Sequence, residues 1–271
     1  MYANLWDNLY NDRFLQYDRV ESTKSGGSRM ALVRTIVWFA YFFGALVFYI
    51  PDMRRARRLR SAGEEQAART LIEKDVRMWA GTLMKLAGVT VTVTGQENIP
   101  TDRAVVFTPN HQGDYDIPLM LLYLDRPHAL VAKVETDRIP LVRTWMRLLD
   151  CVFIDRDNAR KSMEAMNKAG ELVKSGKSVV VFPEGTRSKG DQMGEFKAGA
   201  FRIASKVGAD VVPVAIDGSY KIMEANGGLM KPAHVNVTIL PPVSTAGLDR
   251  AQLKQLPEQV AGLIAAAKQP G

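Results

Sequence analysis

The chain has 271 residues, 46% hydrophobic and 24% charged, with a formal charge of +7 and a pI of about 9.5. This is the composition of a globular protein with room for one large α/β domain and a small extra module, and its single cysteine, Cys151, excludes an internal disulfide. The positive balance calls for an anionic partner. The densest basic run, Arg54, Arg55, Arg57, Arg58 and Arg60, directly follows the most apolar stretch of the chain, which reads as a membrane flank rather than a nucleic-acid patch.

Residues 1–29 are polar, carry no core-forming pattern and read as a flexible tail; Met30 is a candidate natural start. Residues 31–50 read ALVRTIVWFAYFFGALVFYI, with Arg34 the only charge. As a helix this stretch spans ~30 Å, the hydrocarbon thickness of a bilayer. No small-residue cleavage site follows it, only Pro51 and the arginines, so it is an anchor rather than a signal peptide. Positive charge after the anchor places the rest of the protein on the cytoplasmic side, as at a bacterial plasma membrane. Leu71, Trp79, Leu83 and Leu86 then recur at helical spacing, predicting a second helix over residues 63–87 that completes a membrane-associated hairpin (residues 30–88).

From Val89 the texture changes. Val and Thr alternate over 89–94, as in a half-buried strand. Further β-like runs fall at 104–108, 129–134, 152–154, 178–182, 211–216 and 235–240. Helical patterns lie at 159–174, 196–207 and 249–267. The alternation predicts an α/β domain over 89–271, with a mixed, mostly covered sheet flanked by helices.

Four segments carry chemistry. His111 follows a predicted strand in PNHQGDYD, and Asp116 lies five positions on. A carboxylate can fix the tautomer of an imidazole whose other nitrogen takes a proton from a hydroxyl. In a regular helix five positions are rotated by ~140°, so a turn at Gly113 must bring the two together. Glu184-Gly185-Thr186-Arg187 follows the strand at 178–182, and Arg187 can grip a phosphate with its planar fork. Arg156 stands at another strand end, and the apolar run 211–216 carries Pro213. Each segment alone has a plainer reading: a solvated loop His, an ordinary turn, a core strand.

In this order and spacing, the four segments resemble the glycerolipid acyltransferase family, particularly its 1-acylglycerol-3-phosphate acyltransferases. The resemblance runs over about residues 89–240. It implies His111 as general base with Asp116 as its partner. Arg156, Glu184, Gly185, Thr186 and Arg187, with Lys133, are implied around the acceptor phosphate, and Pro213 on the acyl or donor side. Gly113 stands where many members carry Ser, which bears on substrate preference or loop stiffness. The implied reaction moves an acyl group from acyl-CoA or acyl carrier protein to lysophosphatidate. It needs no metal or resident cofactor, and its partners are membrane lipids and the lysolipid, not nucleic acid. Other lysolipids or glycerol 3-phosphate are alternative acceptors.

Three other readings rank lower. Gly176-Lys177-Ser178 resembles the end of a P-loop, but Glu171 stands where its first Gly is needed. Asp114-x-Asp116 and Asp155-x-Asp157 could hold a divalent ion in a glycosyltransferase. A non-catalytic protein binding anionic lipid through its arginines leaves His111 and Arg187 without a role.

Overall fold

The computed structural model describes residues 24–124 and 128–268. The expected tail lies outside the described residues up to residue 23. Its last six residues instead form the start of helix α1 (Lys24–Phe48). Within α1, Ala31, Trp38, Phe42, Ala45 and Leu46 turn toward the protein, while Leu32, Val33, Ile36, Phe39, Phe43 and Val47 stay exposed. Both sets follow helical spacing, so the helix is apolar all round with only one face packed. The other face marks α1 as the membrane-associating element, and residues 27–48 are long and apolar enough to cross a bilayer.

The expected hairpin contains an additional helix. The arginine run forms α2 (Ile50–Ser61), opened by Pro51 in its first turn, where the missing N–H costs nothing. Only Met53 and Ala56 are buried in it, while Arg60 forks onto Asp150 at 3.1 and 3.3 Å. Helix α3 (Glu65–Ala87) follows and ends at Gly88, which takes the left-handed conformation that stops a helix. Trp38 of α1 donates its indole N–H to the Leu83 carbonyl of α3 at 3.1 Å.

Seven strands form one sheet: β1 (Val89–Thr94), β2 (Val106–Pro109), β3 (His128–Lys133), β4 (Val152–Ile154), β5 (Ser178–Val180), β6 (Val211–Asp217) and β7 (Ala233–Ile239), ordered β1-β7-β6-β2-β5-β3-β4. All neighbours are parallel except β6 and β7. Helices α4 (Asp116–Tyr123), α5 (Val142–Leu148), α6 (Ala159–Lys174), α7 (Ala198–Ser205) and α8 (Arg250–Ala267) complete the domain. Along β6, Val212, Val214 and Ile216 join a core with α1, α3 and α4, while Val211 and Ala215 join a second core with α6, α7 and α8. This three-layer arrangement explains why β2 and β6 are apolar on both faces, whereas β1, at the edge, alternates half-buried Val with exposed Thr.

Asp75, on the inner side of α3, is 2% exposed, and neither carboxylate oxygen has a hydrogen-bond partner among the described residues. Burial pushes its pKa up to about 6, with Asp52 adding to the rise and Lys74 opposing it. The unfolded chain ionises this group near pH ~3.9. Between these values the folded state binds more protons, so stability falls as pH rises. Asp75→Asn is expected to raise the thermal midpoint at pH 8 by ~2–4 °C per kcal/mol regained, with no gain at pH 4. Thermal unfolding in detergent at both pH values checks this; an equal effect at both would remove the charge explanation.

Candidate active site

The carboxyl ends of β2, β5 and β6 meet at His111, two residues beyond β2. Its loop is held in place from both sides. The side-chain amide of Asn110 extends the sheet by donating to the Ile216 carbonyl at 2.9 Å and accepting from its N–H at 2.7 Å. The Gln112 side chain accepts from the N–H groups of Gly218 and Ser219 at 2.9 and 3.2 Å. Opposite, the N–H groups of Ser188 and Lys189 donate to the carbonyls of His111 and Gln112.

Asp116 is the first residue of α4 and is fully buried. Its Oδ2 lies 2.8 Å from His111 Nδ1 and accepts the N–H groups of Gln112 at 2.6 Å and Gly113 at 2.9 Å. A carboxylate has no proton to give, so Nδ1 donates to it, and in the neutral imidazole Nε2 is then the nitrogen free to accept. The imidazole stacks on Phe182, ring centres 4.1 Å apart, and lines a cavity of about 1190 Å³. The expected dyad is therefore formed, and the turn through Gly113 forms it.

Around the dyad the structure sorts the other expected residues. Arg156, Lys133, Gly185, Thr186 and Arg187 all line the cavity. Arg156 is exposed, yet partial desolvation pulls its pKa below the usual guanidinium range, with Glu135 opposing. Lys133 is exposed and pairs with Glu135 at 3.0 Å. Arg187 contacts Asp114 and lies 3.7 Å from Glu224. Gly185 takes positive φ, and Lys197 lies over it, 3.2 Å from where a Cβ would stand. Two expectations need correction. Glu184 is 3% exposed and does not line the cavity. Its oxygens accept from the N–H of His111 at 2.6 Å and of Gly194 at 2.7 Å, so it braces the loop and cannot also meet a phosphate. Burial raises its pKa, and those two N–H groups oppose the rise. Pro213 sits buried inside β6, level with Thr108, and does not line the cavity either.

The remaining candidates have local partners. Asp114 serves Arg187, Asp116 serves His111, and Asp155 accepts the Asp157 N–H at 3.3 Å ahead of α6. His234 bonds Thr90 and Thr92 on the edge of the sheet. Cys151 lines the cavity but is buried, and burial pushes its thiol up to about 12, which disqualifies it as a thiolate nucleophile.

Sequence reasoning missed Glu224. It follows β6 in a 3₁₀ turn (Glu224–Asn226), and its side chain is 4% exposed. Oε1 accepts the Asp114 N–H at 2.8 Å, and burial raises its pKa. A Cβ on Gly113 would meet this carboxylate at 2.6 to 2.9 Å. Gly113 and Glu224 thus share one space: the glycine leaves it and the carboxylate fills it. Gly113→Ser is expected to destabilise the fold by about 1–3 kcal/mol through overpacking, and Gly113→Ser with Glu224→Ala to recover part of that loss. A thermal-unfolding double-mutant cycle measures the coupling; strictly additive effects would show that the two positions do not compete.

An acyltransferase family model matches residues 90–217. The chain is 35% identical over 161 residues to a chloroplastic 1-acyl-sn-glycerol-3-phosphate acyltransferase of Arabidopsis thaliana, covering 59% of this chain and 45% of that one. It is 30% identical over 190 residues to the probable 1-acyl-sn-glycerol-3-phosphate acyltransferase of Mycoplasma pneumoniae, covering 69% and 71%. The crystal structure of the 1-acyl-sn-glycerophosphate (LPA) acyltransferase PlsC from Thermotoga maritima matches with a TM-score of 0.71 at 29% identity, covering 89% of this chain and 100% of that one. The chain spans about half the length of several curated relatives it matches. With the His111–Asp116 dyad in place on this fold, the chain belongs to the acyltransferase family that includes the 1-acyl-sn-glycerol-3-phosphate acyltransferases.

Proposed function

We propose that this protein transfers an acyl group from a thioester to the free hydroxyl of 1-acylglycerol 3-phosphate, giving phosphatidate. The observation that carries this reading is that His111 lines one cavity together with the α1 aromatics Trp38, Phe39 and Phe42 and with the cations Arg156 and Arg187. A lysophosphatidate carries a group for each of these: an acyl chain, a hydroxyl and a phosphate.

The chain's own groups perform the steps. Arg156 and Arg187 hold the phosphate, with Asp114, which is exposed, turning away from Arg187 as the anion arrives. Fixing the phosphate sets the hydroxyl beside His111. Nε2 takes the hydroxyl proton as the oxygen attacks the thioester carbonyl carbon. The carbon–sulfur bond then breaks, and the leaving thiolate recovers the proton from the imidazolium, which Asp116 stabilises. No enzyme nucleophile is needed, because the acceptor supplies its own. The thioester arrives as co-substrate, so the scheme calls for no resident cofactor.

Helix α1 packs along the domain from Ala31 to Leu46, ~22 Å of its axis. That contact favours a helix lying in one leaflet over one that leaves the domain to cross the bilayer. The arginines of α2 then meet lipid phosphates on the cytoplasmic face of a bacterial plasma membrane.

Detergent-solubilised protein with labelled lysophosphatidate and an acyl thioester tests the assignment. His111→Ala is expected to cut turnover by ~10²–10⁴-fold, the usual contribution of a general base, with the fold retained. Arg156→Ala is expected to raise the KM for lysophosphatidate more than it lowers kcat. Normal turnover by His111→Ala would falsify the base assignment. Product formed only with glycerol 3-phosphate or another lysolipid would change the acceptor.

A further inference from the structure

Resting on the acyl-transfer reading above, we propose that Lys197 is a further ligand of the acceptor phosphate, supplying the positive charge that Arg187 alone does not bring to the turn at 184–187. Arg187 enters the cavity already compensated: it contacts Asp114 and lies 3.7 Å from Glu224. Asp114 is exposed and turns away as the anion arrives. Glu224 stays, because its side chain is 4% exposed and its Oε1 accepts the Asp114 N–H at 2.8 Å. While ionised it offsets Arg187 charge for charge. A phosphate monoester carries ~1.5–2 negative charges at neutral pH, so the turn needs a second cation that no carboxylate holds.

Lys197 meets that need. It lines the same cavity as His111 and Arg187, and it forms no ion pair with a carboxylate among the described residues. Its backbone is fixed to the turn. The Lys197 N–H donates to the Pro183 carbonyl at 3.0 Å, and Phe196 just before it is buried. The outer stem lies on the bare face of Gly185: a Cβ there would stand 3.6, 3.5 and 3.2 Å from Cδ, Cε and Nζ. The ammonium thus sits against the glycine two positions before Arg187. Being a compact charge with rotatable donors, it meets a phosphate oxygen as a point charge.

The other cations of the cavity stand elsewhere. Arg156 arrives from the segment after β4 and is already assigned to the phosphate. Lys133 pairs with Glu135 at 3.0 Å. Arg202 and Lys206 project from α7, ~6 and ~12 Å along its axis from its first residue, and Lys206 donates to Asn167 at 2.8 Å. Among the described Lys and Arg side chains that line the cavity, only Arg187 and Lys197 are held at the turn itself.

Steady-state kinetics on the full chain in detergent tests the proposal, with lysophosphatidate, or whichever phosphate-bearing acceptor the wild type turns over. Lys197→Met keeps an unbranched stem and removes the charge. It is expected to raise the acceptor KM by about tenfold or more, the usual cost of a lost charged hydrogen bond, with kcat, the thioester KM and the thermal midpoint near wild type. Lys197→Arg is expected to retain most of the wild-type affinity, because the charge is kept. Lys206→Met, which removes a cation from the same cavity away from the turn, is expected to leave the acceptor KM unchanged. An unchanged acceptor KM in Lys197→Met overturns the proposal. So does an equal rise in the thioester KM, an equal effect of Lys206→Met, or a loss that Lys197→Arg does not recover. Wild type inactive with every phosphate-bearing acceptor would instead refute the acyl-transfer reading itself.

Discussion

The site depends on the single carboxylate oxygen of Asp116 that accepts from His111 Nδ1 and from two backbone N–H groups at once. Those amides belong to residues 112 and 113, so the oxygen closes the loop onto the start of α4 while it orients the imidazole. An anionic group at a helix N-terminus also meets the positive end of the helix dipole. With the side chain fully buried, the interaction works in a medium that screens it weakly. Ring orientation, loop shape and helix start are therefore one arrangement, and it holds the imidazole where it lines the cavity.

Around this point the sheet supplies rigidity that a surface loop would lack. The Asn110 amide continues the β2 ladder onto β6, and Gln112 ties the next turn to Gly218 and Ser219. Glu184 fastens the His111 amide to the segment after β5. The loop is thus anchored to both strands that flank β2. The cationic groups come from farther out, Arg156 after β4 and Arg187 after β5, so the parallel strands deliver the dyad and its cations to the same edge.

Much of this was legible because it is local. The Val-Thr alternation of β1, the helix at 159–174 and the capped helix after Asp249 reflect periodicities and caps within a few residues, and the structure places them within a residue or two of expectation. The His111–Asp116 pair was legible as a motif, and its turn through Gly113 as a geometric necessity. Long-range features were not. Helix α2 buries only Met53 and Ala56, so it lacks a stripe to detect, and α5 is a seven-residue helix shorter than the window in which periodicity shows. Glu184 read as part of a phosphate motif because it shares its turn with Arg187, yet only the fold reveals that its carboxylate is spent on the His111 and Gly194 amides. Pro213 carried no signal separating a core strand from a channel wall.

The shared space at Gly113 and Glu224 has an evolutionary corollary. The two residues are 111 positions apart in sequence, yet a Cβ on one would overlap the carboxylate of the other. Exchange at position 113 alone passes through a crowded intermediate, whereas loss of the carboxylate first opens a void that a later serine can fill. The order of substitution is therefore constrained. Lineages that keep glycine here are expected to keep an acidic side chain at 224, and the two positions should covary as an epistatic pair although neither performs the chemistry.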